Sequence, residues 1–342
     1  MKTAVVLFNL GGPDSLSEVK PFLFNLFNDK AIIQLPQPLR WLVAKTITAR
    51  RAGAAKQIYK DMGGRSPILE LTREQAQALD KTLSGKGDYK VFIAMRYAKP
   101  FISDTVAEVK AWNPEKVILL PLYPQFSSTT TGSAFAEWKA QAEKQGLDAF
   151  CHPICCYEFD NHFIAAHLNL IKPAYDEASR HGKPRILFSA HGLPEKFVEK
   201  GDPYEWQVEK TVATLMRSLG ELDHVICYQS RIGPRKWLGP STFSEIERAG
   251  HDLVPIVVVP IAFVSEHAET LVELDIDYRR VANKLRVPFY ARVPALGTTP
   301  DYIDALAWLV EATIFYPNCS NSLGRQCPKE FGQCGYKEWK AA

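Results

Sequence analysis

Eight short runs rich in Val, Ile and Leu restrict the fold of this chain more than any other feature of its sequence. Longer amphipathic stretches separate them. Strands that are apolar on both faces and alternate with helices are typical of parallel sheets covered by helices on each side. The sequence therefore predicts an α/β protein. The predicted strands are Thr3–Asn9, Lys90–Met95, Lys116–Leu120, Phe150–Ile154, Arg185–Ser189, His224–Tyr228, Val254–Val259 and Val287–Ala291.

The runs form two sets whose sequences resemble each other. Residues 6–13 are similar to residues 186–194, and residues 117–122 to residues 256–261; chance similarity between Val-rich strands is the alternative. We predict two Rossmann-like lobes, each a four-stranded parallel sheet flanked by helices, with the active-site cleft between them at the carboxyl ends of the strands. The predicted lobes are 1–160 and 161–315, the last helix packing back onto the first lobe, and 316–342 is a C-terminal extension.

Charge and hydropathy argue against two classes of protein. The 342 residues include 41 Lys and Arg against 38 Asp and Glu, and the formal net charge of +3 does not suggest nucleic-acid binding. No stretch approaches the ~20 continuous apolar residues of a membrane-spanning helix. The sequence from Met1 leads into a predicted strand without signs of a signal or transit peptide, so we expect a cytoplasmic location.

Three acidic residues, Glu269, Glu273 and Asp277, stand four apart in the sequence. On an α-helix this spacing aligns the carboxylates on one face, where neighbouring like charges repel by roughly a few tenths of a kcal/mol. A divalent cation moving along the face would explain the arrangement, and His267 lies just before it. A metal-handling site is one interpretation; a solvated helix face is the other.

Polar or glycine-containing loops follow several predicted strands. His191 lies after the fifth strand, where a histidine can accept a proton near neutral pH or bind a metal as neutral imidazole. Gly11 and Gly12 follow the first strand and would let the backbone approach a ligand closely. The Gly-x-Gly-x-x-Gly pattern of dinucleotide sites is absent. Ordinary connecting loops are the alternative for each.

A basic segment between Lys30 and Lys60 contains seven Lys and Arg and no acidic residue. It also contains several large apolar residues. This mixture favours a surface that meets a membrane or a flat, acidic and apolar ligand. The alternative is an ordinary amphipathic hairpin that packs on the first lobe.

At these loops and at the acidic segment the chain resembles the ferrochelatase family, over roughly residues 3–315. The resemblance implies the chelatase fold and a lyase that inserts Fe²⁺ into protoporphyrin IX, forming protohaem (haem b) and releasing two protons in the terminal step of haem biosynthesis. The segments that show it are Leu10–Pro13, Gly63–Pro67, Arg96–Tyr97, Tyr123–Gln125, Ser189–Pro194, Gly201–Tyr204, Tyr228–Ser230, Trp237–Pro240 and Glu266–Asp275.

The resemblance also implies roles for individual residues. His191 and Glu269 would flank the metal as the catalytic pair, with His267, Glu273 and Asp277 as further metal ligands. On a regular helix His267 lies about 200° from Glu269, so both face the metal only if the helix begins or is distorted there. Ser265 is a candidate N-cap for such a start. The implied porphyrin-binding residues are Leu10, Arg51, Ser66, Arg96, Tyr97, Gln229, Ser230 and Trp237.

The seven cysteines form an odd count, which in a chain without a predicted signal peptide favours metal ligation or free thiols over disulfides. Some ferrochelatases hold a [2Fe–2S] cluster, which implies Cys319, Cys327 and Cys334 as ligands here. The internal ligand of animal members would fall at Ser128, a poor substitute for thiolate. Cys155 is the assigned fourth ligand; its neighbours Cys151 and Cys156 are alternatives, and three solvent-facing thiols are the alternative to a cluster.

Partners follow from the same resemblance: protoporphyrin IX, haem and, through the basic segment, peripheral contact with the cytoplasmic face of the inner membrane. The C-terminal tail is also a candidate dimer contact. Two other functions stay open. A chelatase for coproporphyrin or cobalt would share the fold, and a non-catalytic porphyrin carrier would not need the carboxylates.

Overall fold

The computed structural model of this chain describes residues 1–231, 233, 235–313 and 324–337. Within them the predicted strands are present and form two four-stranded sheets. The strands of the first sheet are β1 Lys2–Asn9, β2 Asp88–Met95, β3 Lys116–Pro121 and β4 Phe150–Pro153. Those of the second are β5 Arg185–His191, β6 His224–Gln229, β7 Ile256–Pro260 and β8 Tyr290–Arg292.

Both sheets have the same strand order. The first runs β2-β1-β3-β4 and the second β6-β5-β7-β8, and every neighbouring pair is parallel. The predicted fold class, two similar parallel α/β sheets flanked by helices, is confirmed. β7 and β8 begin later than predicted, because Pro255 and Pro288 precede them and have no N–H to donate to a sheet.

Helices connect the strands. The α-helices are α1 Val19–Phe27, α2 Leu39–Asp61, α3 Ile68–Leu83, α4 Ile102–Trp112, α5 Thr131–Gln145, α6 Asn161–Ser179, α7 Glu195–Glu199, α8 Tyr204–Leu219, α9 Thr242–Asp252, α10 Arg279–Lys284 and α11 Pro300–Ala312. A π-helix spans Glu269–Tyr278 and a short 3₁₀-helix spans Gly335–Lys337.

The described residues fall into two compact units. Unit 1 contains Met1–Cys156 and the described parts of Leu306–Gln326 and Cys334–Ala342. Unit 2 contains Tyr157–Ala305 and Cys327–Gln333. The second part of α11 therefore belongs to unit 1.

Each unit has its own core around a buried central strand. In unit 1 the ring of Phe8, on β1, meets Phe135 and Trp138 edge-on at 5.8 and 5.6 Å between ring centroids. At the amino end of β3, Lys116 Nζ donates to Thr313 Oγ1 (2.9 Å) just beyond α11. In unit 2 the apolar side chains of β5 and β7 pack with α9 and the π-helix, through residues such as Leu274.

The basic segment of unit 1 includes α2. The indole of Trp41 meets Phe24 of α1 edge-on, with 6.4 Å between ring centroids, so part of the segment packs on its neighbour. Leu39, Trp41 and Leu42 nevertheless remain 55, 43 and 57% exposed. No helix in the described part of the chain is long and apolar enough to cross a membrane.

The register of the second sheet sets the positions of its polar strand ends. His191, the last residue of β5, pairs with Gln229, the last residue of β6. The neighbouring strand β7 ends at Pro260, and the chain then leads into the π-helix. His191, Gln229 and the acidic segment thus lie at the carboxyl edge of one sheet, where ligands bind in α/β folds.

The acidic segment forms a π-helix, whereas the sequence predicted an α-helix. A π-helix makes its hydrogen bonds one residue further along the chain, which widens each turn, and such segments are frequent at functional sites. The helix begins after the N-cap Ala268, so His267 lies before it. For His267 and Glu269 to face the same side, the helix had either to begin or to be distorted at this point. Ser265 is not the cap; Thr270 Oγ1 instead accepts from the His267 N–H at 3.0 Å.

Candidate active site

His191 is held at the end of β5 by its own backbone surroundings. Its Nδ1 lies 2.7 Å from the carbonyl oxygen of Gly192, which fixes Nδ1 as the donor and leaves Nε2 facing outward. The Tyr204 hydroxyl donates to the His191 carbonyl at 3.1 Å. A Cβ on Gly192 would lie 2.7 Å from the Gln229 carbonyl oxygen, so only glycine fits this turn. The imidazole is 42% exposed, which leaves it accessible to a substrate.

Glu269 connects two histidines. Its Oε1 lies 3.4 Å from His191 Nε2, and its Oε2 lies 3.5 Å from His267 Nε2. Burial disfavours a charge on His191, but the Glu269 carboxylate outweighs it and raises the pKa of His191 to about 9. Burial alone would raise the pKa of Glu269, yet His191 and His267 hold it well below its usual range. At neutral pH the pair is therefore an imidazolium and a carboxylate.

Glu273 is surrounded by donors. It accepts hydrogen bonds from Gln229 Nε2 (3.1 Å), the Ser230 N–H (2.9 Å), the Ser230 hydroxyl (2.5 Å) and the Tyr278 hydroxyl (2.9 Å). Gln229 Nε2 also donates to the backbone carbonyl of Glu269 at 2.9 Å. These contacts fix the second carboxylate one π-turn beyond the first.

Asp277 lies apart from this group. Its Oδ1 pairs with Arg280 Nη1 at 3.3 Å, and its side chain is 53% exposed. The structure thus brings His191, His267 and Glu269 together, with Glu273 next to them, and places Asp277 at the solvent end of the helix.

Comparison with known proteins identifies the family. The sequence model of the ferrochelatase family matches residues 2–314 of this chain. This chain belongs to the ferrochelatase family. Membership makes it an enzyme, a lyase that inserts metal into a porphyrin.

Curated ferrochelatases are similar over most of the chain. Ferrochelatase of a Drosophila simulans Wolbachia strain is 52% identical over 311 residues, covering 90% of this chain and 98% of its own. Ferrochelatase of Pelagibacter ubique is 48% identical over 342 residues, covering 98% of each chain. The sirohydrochlorin chelatase SirB of Bacillus subtilis, solved with cobalt, shares the fold with a TM-score of 0.54 and 12% identity, over 93% of this chain and 97% of its own.

The three predicted porphyrin contacts of unit 2 differ in burial and in the groups that they already contact. Gln229 is fully buried, and its side chain donates to Glu269 and Glu273 of the π-helix. Ser230 uses both its N–H and its hydroxyl on Glu273. Trp237 is partly exposed, and its indole N–H has no hydrogen-bond partner within the described residues. Of Gln229, Ser230 and Trp237, only Trp237 has a partly exposed aromatic ring.

In unit 1, Arg96 and Tyr97 are engaged by a residue that the sequence did not single out. Asp29, two residues beyond the end of α1, accepts from the Tyr97 hydroxyl at 2.6 Å and pairs with Arg96 Nη2 at 3.0 Å. Arg96 Nε also donates to the Ser133 hydroxyl at 2.8 Å. Tyr97 is only 1% exposed, and its contact with a porphyrin face stays a prediction. No sequence signal pointed to Asp29, since its partners lie far along the chain.

The remaining predicted contacts of unit 1 differ in accessibility. Ser66 is buried and packs directly on Gly12, where a Cβ would lie 2.5 Å from that of Ser66. Leu10 is partly exposed. Arg51 is partly exposed too, with its guanidinium 5.7 Å from the centroid of the Phe27 ring. Of these three residues, Leu10 and Arg51 thus have accessible side chains.

Two cysteines, Cys155 and Cys156, form a small cluster in unit 1. The sulfurs of Cys155 and Cys156 lie 3.4 Å apart and pack with Phe126 and Tyr336. A Cβ on Gly335, the neighbour of the buried Cys334, would lie 3.3 Å from the Cβ of Cys155. In unit 2, Cys327 accepts from Gln207 Nε2 at 3.1 Å.

Cys319 lies outside the described residues. Across the described ranges, no three His, Cys, Asp or Glu side chains are arranged as a ready metal site. The two histidines at Glu269 lie within 3.5 Å of its carboxylate oxygens.

Proposed function

We propose that His191 and Glu269 perform the chemistry of this enzyme, the insertion of Fe²⁺ into protoporphyrin IX with release of two protons. The observation that supports this proposal is the convergence of His191, Glu269 and His267 at the carboxyl edge of one sheet. Metallation requires a base for the pyrrole protons and weak oxygen or nitrogen ligands that release the metal again. This cluster contains both.

The ion pair suggests an order of events. With the pKa of His191 raised by Glu269, the imidazole begins protonated and cannot accept a pyrrole proton. When Fe²⁺ binds the Glu269 carboxylate, the metal replaces the imidazolium as its partner, and the pKa of His191 falls. His191 then loses its proton and becomes the base. Metal binding thereby activates the base that metallation needs.

Glu273 and Asp277 are the proposed outer carboxylates of the iron route. Glu273 is fixed by its four donors and is therefore a weaker metal ligand than Glu269, which suits a cation that must move on. Asp277 is exposed and suits first contact with a hydrated ion. Of the proposed porphyrin contacts, Leu10, Arg51 and Trp237 already have accessible side chains. The other members of the proposed set are Ser66, Arg96, Tyr97, Gln229 and Ser230.

Anaerobic turnover with Fe²⁺ and protoporphyrin IX tests the function, comparing the unmodified chain with His191→Ala and Glu269→Gln. We expect haem formation by the former and near-complete loss in both variants. A chain that binds porphyrin tightly without forming haem would instead be a carrier. Faster turnover of coproporphyrin, or of Co²⁺, would reassign the ring or the metal.

We also propose that α2 and the loop before it rest on the cytoplasmic face of the membrane. Exposed Leu35, Leu39, Trp41 and Leu42 lie in a segment with basic and no acidic residues, which is the composition of an interfacial helix. Co-sedimentation with anionic vesicles tests this contact. Substitution of Leu39 and Leu42 by Ser should abolish it while leaving turnover in detergent unchanged.

A [2Fe–2S] cluster on the tail remains a proposal. Cys319, Cys327, Cys334 and Cys155 would hold it, and the support is the chemistry of these thiols together with the packing of the Cys334–Gly335 segment against Cys155. The cluster would add one-electron redox chemistry to the tail. Visible absorption and electron paramagnetic resonance of anaerobically purified protein test it, with Cys155→Ser and Cys156→Ser identifying the internal ligand. Light scattering of the same sample tests the predicted homodimer.

A further inference from the structure

One buried arginine of unit 2 contacts the acidic segment at two places. Arg292, the last residue of β8, donates from Nη1 to Glu266 Oε1 at 2.5 Å and from Nε to Asp275 Oδ1 at 3.0 Å. Its Nη2 contacts Asp275 Oδ2 as well, which makes the contact with Asp275 bidentate. The arginine side chain is only 9% exposed. Glu266 Oε1 additionally accepts from the Ala295 N–H at 2.9 Å.

The two carboxylates lie on either side of the proposed catalytic carboxylate. Glu266 precedes Glu269 by three residues, and Asp275 follows it by six, within the π-helix. One guanidinium therefore fixes both the approach to the helix and its middle. Gln229 and Ser230 hold Glu273 between these two points. Glu269 itself contacts the histidines.

A π-helix is rare because an α-helix of the same residues is usually preferred, so it persists only where its surroundings impose it. If the segment returned to α-helical turns, the side chains of Glu269, Glu273 and Asp275 would rotate relative to one another. Asp275 could then no longer meet Arg292 while Glu266 does. The planar guanidinium, with its fixed donor directions, is suited to hold both carboxylates in only one arrangement.

We propose that Arg292 is a positioning residue for metal insertion: by binding Glu266 and Asp275 together, it keeps the segment π-helical with Glu269 directed at His191. This inference rests on the proposed role of Glu269. Arg292 contacts neither of the histidines in the structure, and it acts through the segment that it holds.

The chain offers a matched control in the same unit. Arg185, the first residue of β5, is also 10% exposed and also pairs with two carboxylates, Asp223 and Asp252, each at 2.9 Å. It lies at the amino end of the strand whose carboxyl end is His191. Loss of Arg185 therefore removes a similar double ion pair away from the proposed site.

The experiment compares Arg292→Lys, Arg292→Met, Arg185→Met and Glu269→Gln, with anaerobic Fe²⁺ or with Zn²⁺ as the metal. Both Arg292 variants should raise the KM for metal or lower kcat by about 10- to 100-fold, as removal of residues that orient metal ligands usually does. The KM for porphyrin should change less than about twofold. Arg185→Met should lower the melting temperature while kcat and both KM values of the folded protein stay unchanged.

Hydrogen exchange gives a second readout. Amides of Glu269–Tyr278 should exchange faster in Arg292→Lys, which retains the positive charge, and remain protected in Arg185→Met. If both Arg292 variants lose only thermal stability and keep the metal KM and kcat, the positioning role is wrong while Glu269→Gln remains inactive. If Glu269→Gln is active, the proposed function itself is wrong.

Discussion

The two sheets have the same strand order, but the residues at their carboxyl edges differ in what they do. In unit 1, Asn9 ends β1 and uses its side chain internally, donating to Thr72 Oγ1 at 3.0 Å and accepting from the Leu10 N–H at 2.8 Å. In unit 2, His191 ends the corresponding strand β5 and presents Nε2 to a carboxylate at a partly exposed position. The polar side chain at the first strand end is used in internal hydrogen bonds, whereas the one at the second strand end is accessible to a substrate.

The helices after the third strand of each sheet differ in the same way. α5 of unit 1 is a regular α-helix. Its Ser133 hydroxyl accepts from Arg96 Nε and donates to Asp29 Oδ2. The corresponding helix of unit 2 is π-helical and contains Glu269 and Glu273. Polar groups pair at both edges, and the difference is that unit 2 leaves one of its pairs, His191 and Glu269, partly exposed.

The largest expected effect is on kcat and tests the proposed role of the unit 2 strand end. Glu269→Gln and His191→Ala should each lower kcat by about 10²- to 10⁴-fold, the usual contribution of a positioned acid or base. Single-turnover haem formation measures it. Asn9→Ala at the corresponding strand end should lower stability instead. Equal losses of kcat in all three variants would contradict the distinction between the two edges.

The next effect is on the free energy of unfolding and concerns the buried contacts of Asp29 in unit 1. Asp29→Asn should destabilise the protein by about 3 kcal/mol, because it removes the negative charge beside the largely buried guanidinium of Arg96. Urea unfolding measures the change, and turnover per folded molecule should be unaffected. Glu137→Gln is the control: its carboxylate is 3.8 Å from Arg96 and more exposed, so we expect a change below about 1 kcal/mol. A larger effect in the control would disprove the assignment of Asp29.

A third prediction concerns pH. The raised pKa of His191, about 9, means that a metal binding at Glu269 must displace a proton from the pair. Apparent metal affinity should therefore rise by about tenfold per pH unit from pH 7 and level off above pH 9. Anaerobic titration with Zn²⁺ at fixed porphyrin measures the slope. In Glu269→Gln the slope should disappear; an unchanged slope there would place the displaced proton elsewhere.

The smallest effect separates His191 from another histidine of unit 2. His167, on α6, is buried, neither ring nitrogen has a hydrogen-bond partner within the described residues, and burial lowers its pKa to about 3. The unfolded chain binds this proton near pH 6.5, so the stability contribution is complete above that pH and is lost as pH falls toward 3. At pH 5 the loss is about 2 kcal/mol. Acid unfolding of His167→Leu should lack this component.

Much of the fold could be predicted because it depends on local patterns. The Val- and Ile-rich strands and their repetition specified both sheets, and only the prolines before β7 and β8 shifted their starts. The proximity of three residues in unit 2 could be predicted, because His267 and Glu269 are close in sequence and His191 ends a strand. The exposure and the pairing of individual side chains could not be predicted in the same way. Gln229 ends a strand too, but its side chain points into the unit and is fully buried.

Two further features could not be read from the sequence for physical reasons. Acids spaced by four residues are compatible with α- and π-helices alike, and the contacts around the segment, including those from Arg292, accompany the wider turn. Arg96 and Tyr97 looked available for a ligand because Asp29, which pairs with both, lies 67 residues before Arg96. Pairing across such separations is specified by the folded chain and not by local spacing.

The contact between His191 and Glu269 has a consequence for ion competition in the cell. In the proposed mechanism, an incoming cation replaces an imidazolium on the Glu269 carboxylate. Only a metal that also binds imidazole would recover the interaction free energy lost in this exchange. Mg²⁺ and Ca²⁺ prefer oxygen ligands and gain little from the two histidines, although they are abundant. Fe²⁺ and its transition-metal neighbours bind nitrogen well. In the proposed mechanism, the proton on His191 would thus disfavour the common hard cations before the porphyrin is involved.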